Sequence, residues 1–260
     1  MKSAVMKFMH DTGIYQRIRY SGLYYKILKI KNPTYLKDLE NDFNFYQNAF
    51  GKRLNLIFDV GANWGDKTYA FKKLSDRVVS VEPDQNCFRA LNIRYGNNKQ
   101  VALEQVALGD SEGVATFFVE EDGSAYNTLS EKQKEWLLEN HQPKQLKEVK
   151  VKVTTLDHLV GKYGTPDYIK IDVEGFELPV LKGLSELPPI ISFEANLPHF
   201  QEETLAILDL LIKDGKKDQL FNLRYVDDFV FEIHQPIEKI VLKIKEGKEI
   251  TYDVFVFTPR

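Results

Sequence analysis

The 260-residue chain has a single cysteine, Cys87. That excludes an intramolecular disulfide and any cysteine-rich metal framework, and it suits a reducing cytoplasm. No apolar run approaches the roughly 20 residues that a membrane-spanning helix needs. The stretch Met1 to Asp11 lacks a long apolar segment followed by small residues, so no cleaved signal peptide is expected. Net charge is scarce too. The 35 basic and 38 acidic residues leave −3, too little of either sign to mark a nucleic acid as the main partner. Internal repeats and low-complexity tracts are absent. What remains is an ordinary globular composition, 43% hydrophobic and 28% charged, in a chain long enough to bury a sizeable core.

The charge is unevenly spread. Residues 1–35 carry Lys2, Lys7, Arg17, Arg19, Lys26, Lys29 and Lys31 against Asp11 alone, with five tyrosines among them. A basic, aromatic, helical arm of this kind suits a peripheral contact with a membrane or another anionic surface. The plainer reading is a helix that packs Ile14, Ile18 and Leu28 on the main body and leaves its charges in water. We therefore expect an N-terminal helical extension over residues 1–53, followed by one domain over residues 54–260.

From Leu54 onward short apolar runs alternate with helical stretches, the pattern of a parallel sheet covered on both faces. Strands are expected at Leu54–Val60, Arg77–Val81, Ala102–Leu108, Asp167–Val173 and Pro189–Phe193. Helices are expected after the first, second, fourth and fifth of them. The alternating segments Val114–Val119 and Val149–Leu156 suit strands that pair with each other or with a sheet edge. Phe229–Ile233 and Val254–Phe257 read as an antiparallel pair joined by a tight connection.

Ligands of open α/β sheets bind beyond the carboxyl ends of the strands. Four of the expected strands end in a carboxylate there: Asp59, Glu82, Asp172 and Glu194. Together they predict one acid-lined cleft. The first strand-to-helix turn, Asp59-Val60-Gly61-Ala62-Asn63-Trp64-Gly65, lacks the GxGxxG of dinucleotide folds. Its acid would repel a pyrophosphate and suits a cation. Glu82, seventeen residues after Gly65, is placed to grip ribose hydroxyls. A nucleoside carrying an amino-acid cation and no phosphate meets both demands, which points to S-adenosylmethionine.

The segments FDVGANWG (58–65), VVSVEPD (78–84), VALGD (106–110), TTLDHL (154–159), DYIKIDVEGFELPVLKGL (167–184) and ISFEAN (191–196) closely resemble the FkbM-type S-adenosylmethionine-dependent methyltransferases. The resemblance runs from about Leu54 to Pro259. It implies a Rossmann-like class I α/β sheet of seven strands, mostly parallel with the last antiparallel, and helices on both faces. It also implies O-methylation of a sugar, glycan or secondary-metabolite hydroxyl. Carried onto this chain, Gly61, Ala62, Asn63 and Gly65 would surround the methionine moiety, Glu82 the ribose, and Val106, Ala107 and Leu108 the adenine.

Lys170 and Asp172 lie two apart on one strand, so they share a face where an apolar pair would be normal. Asp172 is the expected base or acceptor-orienting group, with Lys170, Glu194 and His199 around it. Asp172 and Glu194 also offer hard oxygen ligands for Mg²⁺, but the ligand set is incomplete and no metal is assigned. Glu177 reads as a helix-start acid and Cys87 as a small core hydrophobe. The competing functions are a nicotinamide-dependent oxidoreductase on a similar sheet and a catalytically silent binding scaffold.

Overall fold

The computed structural model of the chain describes residues 14, 33–120, 124–141, 143, 145–213, 218–246 and 248–259. The arm residues Ile18 and Leu28, and with them most of the basic N-terminal segment, lie outside the described residues.

The first long helix, α1 (Pro33–Phe50), belongs to the core of the main body. Leu36, Leu39, Phe43, Tyr46 and Phe50 recur at alternating spacings of three and four, which aligns them on one stripe. Tyr46 on that stripe is fully buried, and with Phe45 and Phe50 it packs on Phe71, Tyr168 and Phe255. Each such ring contributes on the order of 2 kcal/mol by burial. Residues 33–50 of the expected 1–53 extension thus pack into the aromatic core.

Next come β1 (Leu54–Val60), α2 (Asp66–Leu74), β2 (Ser75–Val81), α3 (Gln85–Tyr95) and β3 (Val101–Glu104). The expected strand Ala102–Leu108 is broken. β3 pairs with β2, whereas β4 (Ala107–Leu108) leaves for a second, three-stranded sheet. There β4 lies against β6 (Lys147–Thr154), which pairs antiparallel with β5 (Gly113–Val119). The two alternating segments therefore pair with each other. Between them run α4 (Glu131–Trp136) and a π-helical turn, Leu137–His141.

The main sheet continues through α5 (Leu156–Tyr163), β7 (Tyr168–Ile171), α6 (Glu177–Lys182), β8 (Ile190–Leu197) and α7 (Gln201–Lys213). The C-terminal part holds β9 (Leu220–Tyr225), β10 (Asp228–Phe229), α8 (Ile237–Lys245) and β11 (Ile250–Phe257). The sheet order is β10-β9-β11-β8-β7-β1-β2-β3. β1, β2, β3, β7 and β8 are parallel to their neighbours in that row, and β11 is antiparallel between β8 and β9. The expected seven strands are all there, with the two-residue β10 added at the edge. Among the described residues, no helix is long and apolar enough to cross a membrane.

The expected tight pair at the C-terminus is corrected. Helix α8 intervenes, set by Ile237, Ile240, Val241 and Ile244 on one stripe after Pro236, with Ile240 and Ile244 fully buried. Only Asp228–Phe229 of the first segment is strand, and it pairs with β9, so β11 is held by β8 and β9.

Side-chain alternation along β7 divides the two faces of the sheet. Ile169 and Ile171 enter the core under α5 to α8, while Tyr168 enters the aromatic core under α1 and α2. Lys170 and Asp172 follow Tyr168 by two and four residues, so they share its face.

Candidate active site

A cavity of about 260 Å³ opens at the carboxyl ends of β1, β2 and β7. Its walls include Gly61, Ala62 and Asn63 from the first turn, Glu82 beyond β2, Val106 to Leu108, and Lys170, Asp172 and Glu174 beyond β7. The small sheet closes the far side through Phe117, and the following loop adds Asn127 and Leu129.

The first turn is shaped by packing as much as by access. A Cβ at Gly61, whose φ is +75°, would lie 1.7 Å from the Asp172 carbonyl oxygen. Gly61 and Ala62 both donate their N–H to the Val81 carbonyl at 3.0 Å, which pins the turn across β2. Gly65, at φ +82°, does not line the cavity. A Cβ there would meet Leu91 at 2.6 Å and Tyr95 at 2.8 Å, so this glycine lets α3 pack against the turn. Asn63 takes the left-handed conformation with φ +47°, which its short polar side chain tolerates. Its own Oδ1 accepts the Trp64 N–H at 2.7 Å.

Glu82 is buried, with one carboxylate oxygen accepting the Asn63 N–H and the other the Asp84 N–H, both at 2.8 Å. Burial without a cation beside it pushes its carboxyl up to about 8, against the pull of those two N–H groups. Each oxygen keeps a lone pair for a ligand. Asp84 caps α3 by accepting from the Asn86 and Cys87 N–H groups. Its second oxygen accepts from the Asn127 side chain at 3.3 Å, tying the loop to the cavity wall. The Cys87 thiol is buried against Asn63 and is pushed far up by desolvation and by Glu82 and Asp84, so it is no nucleophile.

Asp59 lies beneath the cavity floor, not on its lining. It is fully buried, accepts the Thr68 hydroxyl at 2.5 Å, and its other oxygen has no partner. Desolvation raises its carboxyl, and Lys170 on the neighbouring strand opposes that. Asp59, expected from the sequence to meet the ligand, is therefore not among the residues that line the cavity.

Lys170 is 2% exposed and donates to Asp172 Oδ2 at 2.6 Å. Burial depresses the ammonium, but Asp172 and Asp59 together hold it firmly charged. Glu194 sits inside β8, not at its end. Because β8 runs past β7, with Ile171 opposite Phe193, Glu194 is nevertheless level with Asp172. Ligand oxygens of Asp172, Glu174 and Glu194 all lie within 4.8 Å of one another. Burial and the neighbouring acids push Glu174 and Glu194 well above the usual carboxylate range. Such a trio has the hard oxygen donors for Mg²⁺ and equally suits an organic cation.

Glu177 accepts the Val173 and Gly175 N–H groups at 3.0 and 3.2 Å, so it braces the loop after β7 from the start of α6. Burial pushes it up to about 7. His199 is not brought to the cavity lining. Its ring lies between Trp136 at 5.9 Å and Phe200 at 4.5 Å, and its Nε2 is buried without a partner. Desolvation and Lys132 lower its pKa, so it is neutral near pH 7.

Sequence reasoning missed Asp84 and Lys67 as lining residues. Lys67 lies two residues after Gly65 and was within reach of motif reading. Asn127 is held at the wall by its own side chain, which accepts the Glu120 N–H at 3.0 Å and donates to Asp84.

Comparison with curated protein sequences finds no match. Among solved structures, the plantazolicin methyltransferase BpumL in complex with SAH is 10% identical. It is covered over 99% of both chains with a TM-score of 0.46. An rRNA methylase from Streptococcus thermophilus is 11% identical over 80% of this chain and 89% of its own, with a TM-score of 0.43. A putative RNA methyltransferase from Pyrococcus horikoshii is 12% identical over 84% and 81%, with a TM-score of 0.39. The family profile described as the methyltransferase FkbM domain matches residues 59–223, from the buried acid of the first turn to β9. That span is more than half of the sequence, and on it the chain belongs to the FkbM methyltransferase family.

Proposed function

We propose that this protein transfers a methyl group from S-adenosylmethionine to a hydroxyl oxygen of a sugar, glycan or secondary-metabolite acceptor, in the cytoplasm. The observation that carries the reading is the polarity of the cavity. A buried carboxylate with free lone pairs, Glu82, stands on one wall, and the trio Asp172, Glu174 and Glu194 stands beyond β7. Between them lie an uncharged turn and the apolar Val106 to Leu108. A nucleoside with a cationic tail fits that donor set, whereas a pyrophosphate would face carboxylates at both ends.

S-adenosylmethionine supplies an electrophilic methyl group on a sulfonium and departs as a neutral thioether, so no acid is needed for the leaving group. Glu82 accepts both ribose hydroxyls on its unused lone pairs, and the Val106 to Leu108 wall receives the adenine. Gly61, Ala62 and Asn63 border the amino-acid end. Lys170 holds one oxygen of Asp172 and leaves the other to orient the acceptor hydroxyl and take its proton. Aligning the acceptor oxygen with the methyl carbon contributes several kcal/mol of the barrier reduction. In this reading residues 54–260 form the catalytic domain, α1 is its docked entry helix, and the charge of the basic segment before it suits an anionic surface.

The test is calorimetric titration of the full chain with S-adenosylhomocysteine and, separately, with NAD⁺, followed by methyl-donor assays over hydroxylated acceptors with and without EDTA. Micromolar binding of S-adenosylhomocysteine and none of NAD⁺ is expected. Binding of NAD⁺ alone would replace the reading with an oxidoreductase. Loss of turnover in EDTA, restored by Mg²⁺, would assign the acid trio to a metal.

A further inference from the structure

The donor proposed for the cavity carries a carboxylate at its amino-acid end, and the cavity is a poor place for one. Among the described residues, its lining holds five carboxylates, those of Asp66, Glu82, Asp84, Asp172 and Glu174. Two cations stand against them, Lys67 and Lys170. A carboxylate brought in among these acids needs a positive charge of its own to face.

The two lysines are not equivalent. Lys170 is 2% exposed and its ammonium is given to Asp172 Oδ2 at 2.6 Å. Asp59 on the neighbouring strand adds a second negative charge to it. That cation is already matched. Lys67 stands in the first turn of α2, four residues after Asn63, and its side chain is 30% exposed. Its ammonium donates to both oxygens of Asp42 at 2.5 Å. An ammonium has three N–H groups, so one is left over. The Asp42 charge is itself shared, because Arg224 donates to its Oδ1 at 2.6 Å. Arg94, at the end of α3, does not line the cavity; it donates to the Trp64 carbonyl and, at 2.8 Å, to Asp66. The grip on Lys67 comes from α1, which precedes the matched residues 59–223, and it fixes the end of a flexible side chain beside the first turn.

We infer that Lys67 receives the α-carboxylate of S-adenosylmethionine and of S-adenosylhomocysteine, with Asp42 holding its ammonium in place. The inference rests on the methyl-transfer reading and extends it to the charges of the amino-acid end, where that reading names only Gly61, Ala62 and Asn63. The two charges of that end are then met separately, the carboxylate by Lys67 and the ammonium by the surrounding acids. A nucleoside without the carboxylate would gain nothing from Lys67.

The experiment is calorimetric titration of the full chain with S-adenosylhomocysteine and with its decarboxylated analogue. It is run on the unaltered protein, on Lys67→Met and on Lys67→Arg. The unaltered protein is expected to bind S-adenosylhomocysteine at least threefold more tightly than the analogue. Lys67→Met should weaken S-adenosylhomocysteine at least tenfold, the scale of one charge-assisted hydrogen bond. The analogue should bind Lys67→Met no more weakly than the unaltered protein, because a positive charge that repels it has gone. Lys67→Arg keeps the charge and should hold S-adenosylhomocysteine within about fivefold. The preference of the unaltered protein needs no variant, so the test survives a Lys67→Met that fails to fold. Equal affinity of the unaltered protein for the two ligands would overturn the inference. So would unchanged S-adenosylhomocysteine affinity in Lys67→Met, or an equal weakening of both ligands, which would make Lys67 a packing residue. Failure of both ligands to bind the unaltered protein would overturn the methyl-transfer reading, and the assignment of Lys67 with it.

Discussion

Two groups of acids, one under α1 and one around the cavity, are treated in opposite ways. Under α1, Asp42 is gripped by Lys67 at 2.5 Å and by Arg224 at 2.6 Å, and Arg224 also reaches Asp253 at 3.4 Å. Burial alone would raise the Asp42 carboxyl, yet Lys67 and Arg224 hold it below its ordinary value. Arg224 lies 4.2 Å over the Phe45 ring as well, so its charge is also spread across an aromatic face. Around the cavity, Glu82 has only backbone N–H partners among the described residues, Glu194 accepts the Asn196 side-chain amide at 2.7 Å, and the Lys170 ammonium is given to Asp172. The acid under α1 is thus held by cations, although the buried Arg224 Nε has no partner, whereas the acids Glu174 and Glu194 at the cavity are raised by burial and by neighbouring acids.

The sharpest way to break this contrast is at Asp172. Asp172→Asn keeps the volume and the Lys170 contact but removes the base, so kcat on an identified acceptor should fall ~10²-fold or more. S-adenosylhomocysteine affinity should change far less, since the loss belongs to the transition state. Near-normal turnover would move the chemistry to Glu194 or Glu174 and leave Asp172 a mere partner of Lys170.

The corresponding cut in the other group is Asp42→Asn, which leaves Arg224, 5% exposed, without its buried carboxylate. Urea denaturation should show a loss of about 2 kcal/mol, the scale of a broken hydrogen bond to a charge. The two groups should also differ in pH dependence. Asp42 has a folded value below its unfolded one, so its contribution is present above about 3.8 and fades as pH falls through the lowered value. Glu82 and Glu177, raised to about 8 and about 7, do the reverse. The ligand-free protein binds their protons more tightly than the unfolded chain, so its stability declines as pH rises from 4.5 towards 8. Urea midpoints at pH 5, 6, 7 and 8 should fall, and Glu82→Gln should flatten the upper part of that slope.

Ligand binding offers a smaller, cleaner test at Glu82. Glu82→Ala should weaken S-adenosylhomocysteine at least tenfold, about 1.4 kcal/mol, through the loss of two charge-assisted hydrogen bonds. In the unaltered protein, affinity should rise with pH through about 8 if the carboxylate is the form that receives the ribose. An affinity independent of pH from 6 to 9 would mean that the ligand is met by the protonated acid.

Legibility followed the range of the interactions involved. Gly61, Glu82, Lys170 and Asp172 were readable because strand ends and turns are local, and a charge within an apolar strand breaks a local pattern. Glu194 lies beside Asp172 although its strand does not end there, since register with β7 decides its height and register is not local. Asp59 and Gly65 lie off the cavity lining, and from sequence an acid or a glycine looks the same whether it serves a ligand or the packing of α2 and α3. The helix α8 was overlooked although its stripe of Ile237, Ile240 and Ile244 was present. The split of Ala102–Leu108 falls at the polar pair Glu104-Gln105, which can mark a break but does not say which sheet each half joins.

The smallest effect expected concerns backbone strain and divides the two regions once more. Among the described residues, three other than glycine adopt positive φ: Asn63 at +47°, Glu174 at +54° and Val226 at +56°. The first two line the cavity, where a constrained backbone aims a side chain or an N–H. Val226 lies in the exposed turn between β9 and β10, on the side of Asp42 and Arg224. A β-branched side chain is poorly suited to that conformation. Its side chain is 66% exposed, so little packing would be lost with it. Val226→Gly should raise stability by up to about 1 kcal/mol, offset in part by the freer unfolded chain, and leave S-adenosylhomocysteine affinity unchanged. Glu174→Gly relieves the same kind of strain, but it removes a carboxylate from the acid trio and should reduce turnover. Stabilisation by Glu174→Gly with full activity would show that the strain at the cavity is as incidental as that in the turn.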